Sequence, residues 1–296
     1  MQAGISCTKP VSLQILRDIQ ITKLDIRIET TVSLPGAGQI VLLFNEQSNG
    51  SVFSLDSKFV LDLHKNAPGV IESADFDGNV LFDLIYIDGQ TFIKQCDILC
   101  TIVSNIVSIT IGDFDHDGNR NDFSTCNIYG GVVTFYLLNF KNIRNGYQIT
   151  QNRMYEDPFS LITARFNEDD YDDLAMVSSL SDTLQILLAS DDQQFIQQTY
   201  LTSHHPTSVA KINFNNDQID DIAVLHCSET INIFLGTSSD LFNRNYLSFS
   251  INEEMLNDCA QSIKVADLNN DGKDDPVIAD TGTHTVRVLL DMRCNE

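Results

Sequence analysis

Five short segments of this chain set Asp and Asn at alternate positions, the spacing with which a loop can surround a hard cation with oxygen donors. They are Asp75–Asp83, Asp113–Asn121, Arg165–Asp173, Asn213–Asp221 and Asp267–Asp275. With the first residue of each as position 1, side chains at 1, 3 and 5 turn inward. A backbone carbonyl from 7 and a carboxylate from 9 then close the cage. Gly118 and Gly272 at position 6 allow the tight turn. Such a cage suits Ca²⁺, which takes six to eight oxygens at variable angles, better than Mg²⁺, which demands a near-ideal octahedron. An EF-hand is excluded, because position 12 holds Tyr86, Ser124, Met176, Val224 or Ile278 rather than Glu.

The copies differ in charge. The first offers Asp75, Asp77, Asn79 and Asp83, and the last offers Asp267, Asn269, Asp271 and Asp275. The second offers Asp113, Asp115 and Asp117, closed either by Asn121 or by Asp122 across a one-residue insertion. The fourth, Asn213, Asn215, Asp217 and Asp221, has two carboxylates and is expected to bind more weakly. The third, Arg165–Asp173, begins with a guanidinium that can stand in for the ion by pairing with Asp169 and Asp173, so this site is expected to be empty. The competing reading is that all five are Asx-rich turns needing no metal.

The elements that position these loops repeat with them. Position 1 recurs after 38, 52, 48 and 54 residues, an average of 48. Seven residues earlier stands Pro68, Pro158 or Pro206; five earlier stands Ser108, Ser160, Ser208 or Ser262. Four earlier every copy is aliphatic: Ile71, Ile109, Leu161, Val209 and Ile263. Position 2 is Phe76, Phe114, Phe166, Phe214 or Leu268. After each loop comes a short β-type run, such as Leu174–Val177 or Ile222–Leu225, and a second run follows some ten residues on, such as Thr183–Leu188 or Ile231–Leu235. A third begins near an aromatic such as Phe53, Phe195 or Phe242. Counting the strand that leads into the loop, each unit supplies about four strands, the content of one propeller blade.

Acidic position 1, Asn or Asp at 3, Asp at 5, Gly at 6 and Asp at 9, led in by Pro-x-Ser and followed by an aliphatic run, resembles the FG-GAP and VCBS repeats, the family that includes the integrin α-subunit head. The likeness spans roughly residues 38 to 290 and is closest in Val265–Asp275. It implies an all-β fold, a calcium-binding β-propeller of about six to seven four-stranded blades, formed by residues 1–296 as one domain. Residues 1–65 would supply a degenerate unit and closing strands, one of which completes the blade of Asp267.

Composition narrows the partners. With 41 acidic against 18 basic residues the formal charge is −23, which disfavours nucleic acid and anionic lipid surfaces. The longest apolar stretches, such as Val41–Phe44, are far too short to insert in a membrane. No apolar segment of a secretory signal is visible in residues 1–10, so the chain is read as either cytosolic or part of a longer precursor. Seven cysteines (Cys7, Cys96, Cys100, Cys126, Cys227, Cys259, Cys294) allow up to three disulfides or ordinary buried thiols, and none forms a Cys-x-x-Cys pair. His204-His205, His116 and His284 read as turn residues, and no catalytic motif is present. The function expected is non-enzymatic: an extracellular or cell-surface module that meets a protein or glycan ligand through blade-edge loops. Rival readings are the propeller body of a polysaccharide lyase or hydrolase, and a purely architectural domain of a larger surface protein.

Overall fold

The computed structural model describes residues 28–34, 39–44, 58–62, 68–74, 83–88, 91–94, 106–128, 131–138, 147–153, 157–190, 195–237, 241–242, 246–250, 259–280 and 285–290, less 168, 218, 229 and 270. Among the described residues all regular structure is β. The strands fall into two compact units, one from β1 through most of β10 and the other from β11 to β23.

The first unit holds three antiparallel meanders. Their strands are β1 (Ile28–Leu34), β2 (Gln39–Phe44) and β3 (Lys58–Asp62); β4 (Pro68–Ala74), β5 (Asp83–Asp88) and β6 (Thr91–Lys94); and β7 (Ile106–Gly112), β8 (Asp122–Asn127), β9 (Val132–Leu138) and β10 (Tyr147–Arg153). The second unit repeats the plan. A four-stranded sheet of β11 (Pro158–Ala164), β12 (Asp173–Ser178), β13 (Thr183–Ala189) and β14 (Phe195–Leu201) comes first. In the next, β15 (Pro206–Ile212), β16 (Asp221–His226) and β17 (Thr230–Phe234) pair in order. A small ladder of β18 (Gly236–Thr237) and β19 (Leu241–Phe242) intervenes before β20 (Leu247–Ser250) joins β17. The last sheet is β21 (Ala260–Ala266), β22 (Asp275–Asp280) and β23 (Thr285–Val288). A closing strand is expected from residues 1–65; the strands described there, β1 to β3, pair with one another in a sheet of their own and not with β21 to β23, and the rest of that segment lies outside the described residues.

The near-continuous apolar runs follow from burial on both faces. Along β16, Ile222 and Val224 join one core with Ala175, Val177, Ile186 and Phe166, while Ala223 and Leu225 join another with Ile263 and Ile278. Sheets are therefore stacked face to face, with β15 lying beside both β11 and β21. The position-2 aromatics seal the loop side of these layers. Phe166 meets Phe242 edge-on at 5.4 Å, and Phe114 meets Phe135 at 5.1 Å. Truncating the buried ring in Phe166→Ala is expected to lower unfolding stability by about 3 to 5 kcal/mol, checked by urea denaturation.

The lead-in residues have separate jobs. Pro68, Pro158 and Pro206 open β4, β11 and β15, the position where a missing N–H costs no ladder bond. A register shift follows each, between Pro158 and Ser160 or Pro206 and Ser208, for example. The repeated serine then ties one sheet to the next: Ser160 Oγ accepts the Val209 N–H at 3.3 Å, and Ser208 Oγ accepts the Ile263 N–H at 3.2 Å. The donor is in both cases the aliphatic residue four before the next loop, so the two flanking positions are partners across sheets.

Candidate metal-binding loops

Each acidic loop joins the first strand of a sheet to the second, and its closing carboxylate is the first residue of that second strand. Asp83, Asp122, Asp173, Asp221 and Asp275 begin β5, β8, β12, β16 and β22. In the second copy it is therefore Asp122, across the insertion, that occupies the ninth place, while Asn121 sits one residue before it. These carboxylates latch the loop mouth. Oδ2 accepts the position-2 N–H in four copies: Phe114 to Asp122 at 2.9 Å, Phe166 to Asp173 at 2.8 Å, Phe214 to Asp221 at 2.8 Å and Leu268 to Asp275 at 3.0 Å. Oδ1 of Asp173 and Asp221 reaches the far side of the hairpin, accepting the N–H of Ala189 at 2.9 Å and of Gly236 at 2.8 Å. Gly236 is required there, because a Cβ would lie 2.6 Å from the Asp220 carbonyl oxygen.

The second and last loops share one internal geometry. Asp113 accepts the Asp117 N–H on Oδ1 at 3.0 Å and the Gly118 N–H on Oδ2 at 2.9 Å. Asp267 accepts Asp271 and Gly272 in the same way, at 3.1 and 2.9 Å. Asp115 and Asn269 each cap the position-5 N–H, and Asp117 and Asp271 cap the residue two further on. Gly118 and Gly272, at φ 88° and 79°, occupy the left-handed region at position 6.

Ligand oxygens of Asp113, Asp115 and Asp122 lie within 4.8 Å of one another, the one such grouping of three acidic, His or Cys side chains among the described residues. Burial, and then the charges of Asp117 and Asp113, push the Asp115 carboxyl above its ordinary range. Next to Asp122, Asn121 is 1% exposed and neither atom of its side-chain amide has a hydrogen-bond partner. Hard oxygens and crowded like charges fit Ca²⁺, which Asp113, Asp115 and Asp122 would hold.

In the fourth loop Asn213 and Asn215 replace carboxylates. Asn213 Oδ1 accepts the Asn216 N–H at 2.8 Å, Asn215 caps Asp217, and its amide donates to Asp217 Oδ2 at 2.6 Å. In the third loop the expected pairing of Arg165 with Asp169 and Asp173 is not what forms. Arg165 reaches Asp170 and Asp172, each at 3.7 Å. Asp169 is held instead by Asn167 and the Tyr171 N–H, and Asp173 by its two backbone donors. Asp173 is fully buried, and this raises its pKa to about 7, with smaller upward pushes from Asp169 and Asp172. In the first copy Asp75, Asp77 and Asn79 lie outside the described residues.

Away from the loops, the β12–β13 turn meets the β14–β15 connection. Asp182 Oδ2 lies 2.7 Å from His204 Nδ1, and its Oδ1 accepts the His205 N–H at 2.8 Å. Ser179 approaches His205 at 3.5 Å, not the histidine that Asp182 holds, so no Ser-His-Asp relay is formed. His226 carries no motif and is not distinguishable in the sequence. It is fully buried at the end of β16, which drives its pKa down to about 4; Nδ1 lies 3.0 Å from the Thr230 carbonyl and Nε2 has no partner. Beside it Cys227 is bonded to Cys259, and Cys126 is a buried thiol outside any disulfide.

No protein-family model matches the chain, and no curated protein matches its sequence. Solved structures do match in fold. The crystal structure of BBS1N in complex with ARL6DN, soaked with lead, superposes with a TM-score of 0.56 at 11% identity, over 97% of this chain and 80% of that one. The mercury-soaked crystal of the same complex gives 0.53 at 8% identity, over 88% and 73%. BBS1N is a β-propeller, and at this identity the likeness carries fold alone. With its stacked antiparallel meanders, the chain is therefore an all-β protein with a β-propeller fold.

Proposed function

We propose that this chain is a non-enzymatic, calcium-stabilised β-propeller of the FG-GAP/VCBS type that presents blade-edge loops to a protein or glycan ligand outside the cell. The observation that carries the calcium reading is the convergence of Asp113, Asp115 and Asp122. The matching geometry around Asp267 supports a second site, with fewer carboxylates making Asn213–Asp221 weaker and Arg165 leaving its loop empty. The Cys227–Cys259 disulfide favours an oxidising compartment. That BBS1N, a propeller, is seen in complex with ARL6DN supports a protein partner in general.

Calorimetry is expected to show unequal Ca²⁺ sites with little response to Mg²⁺. Screening the chain against extracellular-matrix proteins and a glycan array, with and without chelator, tests the ligand class. Five equivalent sites, a stronger Mg²⁺ response, or polysaccharide cleavage during the screen would count against this function.

A further inference from the structure

We propose that the Cys227–Cys259 disulfide is a redox latch that locks the sheet β21–β23 onto β15–β17, so that its reduction uncovers the apolar face of β16 and β17. Cys227 directly follows β16 and Cys259 directly precedes β21, with Cα atoms 4.3 Å apart, so the bond ties two sheets rather than two strands of one. Both cysteines are half-buried, within reach of a small reductant.

The last sheet is the one that needs a tie. Among the described residues it has three strands where the three sheets before it have four. Its far face leaves Val286 51% and Val288 44% exposed, with Leu290 just beyond at 56%. Its hold on the neighbouring sheet rests on one apolar layer, Ile263 and Ile278 against Ala223 and Leu225. Hydrogen bonds add to it, among them Ser208 to the Ile263 N–H, Thr207 to the Ala260 carbonyl at 2.8 Å, and Asp274 to the Asn213 N–H at 2.7 Å.

In the switching step a dithiol gives two electrons and two protons. The S–S bond breaks, Cys227 and Cys259 become thiols, and the dithiol closes to its own disulfide. Opening a bridge between residues 32 apart returns the entropy of that loop to the opened state.

Hydrogen exchange on the full chain tests this, comparing the oxidised protein, the protein in dithiothreitol and a Cys227→Ser/Cys259→Ser variant. In both reduced parent and variant, peptides covering β21 and β22 are expected to exchange about a hundredfold faster, with those covering β12 and β13 unchanged. Binding of an apolar-surface dye should rise in parallel. Equal acceleration in both sheets, acceleration in neither, no rise in dye binding, or a variant that still responds to dithiothreitol overturns the proposal. So does a non-reducing digest lacking the linked Cys227–Cys259 peptide.

Discussion

Chelating calcium is expected to lower the melting temperature by on the order of 10 °C. Three carboxylate oxygens within 4.8 Å repel one another by roughly 1 to 3 kcal/mol per pair at surface-like effective dielectrics, and backbone N–H groups offset this in part in the loop of Asp113. An ion that binds the folded state alone adds about 2.7 kcal/mol at a hundred times its dissociation constant, and two independent sites add about 5. For a chain of this size each kcal/mol moves the melting temperature by about 2 to 4 °C. Asp115→Ala should remove about half of the calcium increment, because Asp115 otherwise supports only the exposed Asp117 N–H. Asp271→Ala should remove part of the remainder. A melting curve that ignores chelator, or an Asp115→Ala protein that keeps the full increment, would leave these loops as turns that need no metal.

The architecture was legible because five loops in register force a strand before and after each, and because runs such as Leu174–Val177 are apolar on both faces. What those runs pack against was not legible. The serine five residues before four of the five loops stood out only as a recurrence, and its partner is a backbone N–H about fifty residues away, as with Ser160 and Val209. The choice between Asn121 and Asp122 depended on where β8 begins, which an insertion hides in a one-dimensional alignment. The pairing that the spacing suggests for Arg165 with Asp173 does not form, because the two Asp173 oxygens accept the Phe166 and Ala189 N–H groups, leaving the guanidinium to Asp170 and Asp172. Seven cysteines left the disulfide undecided, and His226 has no signal beyond its place in an apolar strand.

The same latch gives the second large effect. Asp173 should make this protein less stable as the pH rises from about 4 to 7. Unfolded, its carboxyl titrates near 3.9; folded, burial holds it at about 7 against the two N–H donors that pull it down. Below the lower value both states are protonated and the carboxyl's contribution is fully present. Between the two values only the folded state keeps the proton, so stability falls with each pH unit and the contribution is lost above about 7. The span corresponds to on the order of 4 kcal/mol for this fully buried group. Asp173→Asn removes the titration while keeping the shape. An amide oxygen accepts only one of the two facing N–H groups well, so the variant should be less stable than the parent by about 1 to 3 kcal/mol at pH 5. That deficit should shrink or reverse by pH 8, and the parent-minus-variant difference isolates this group from the other carboxylates. Denaturant melts of both proteins at unit pH steps measure it. A difference that stays flat from pH 5 to 8 would mean that the Phe166 and Ala189 N–H groups keep Asp173 ionised throughout, and that the latch is a charged one.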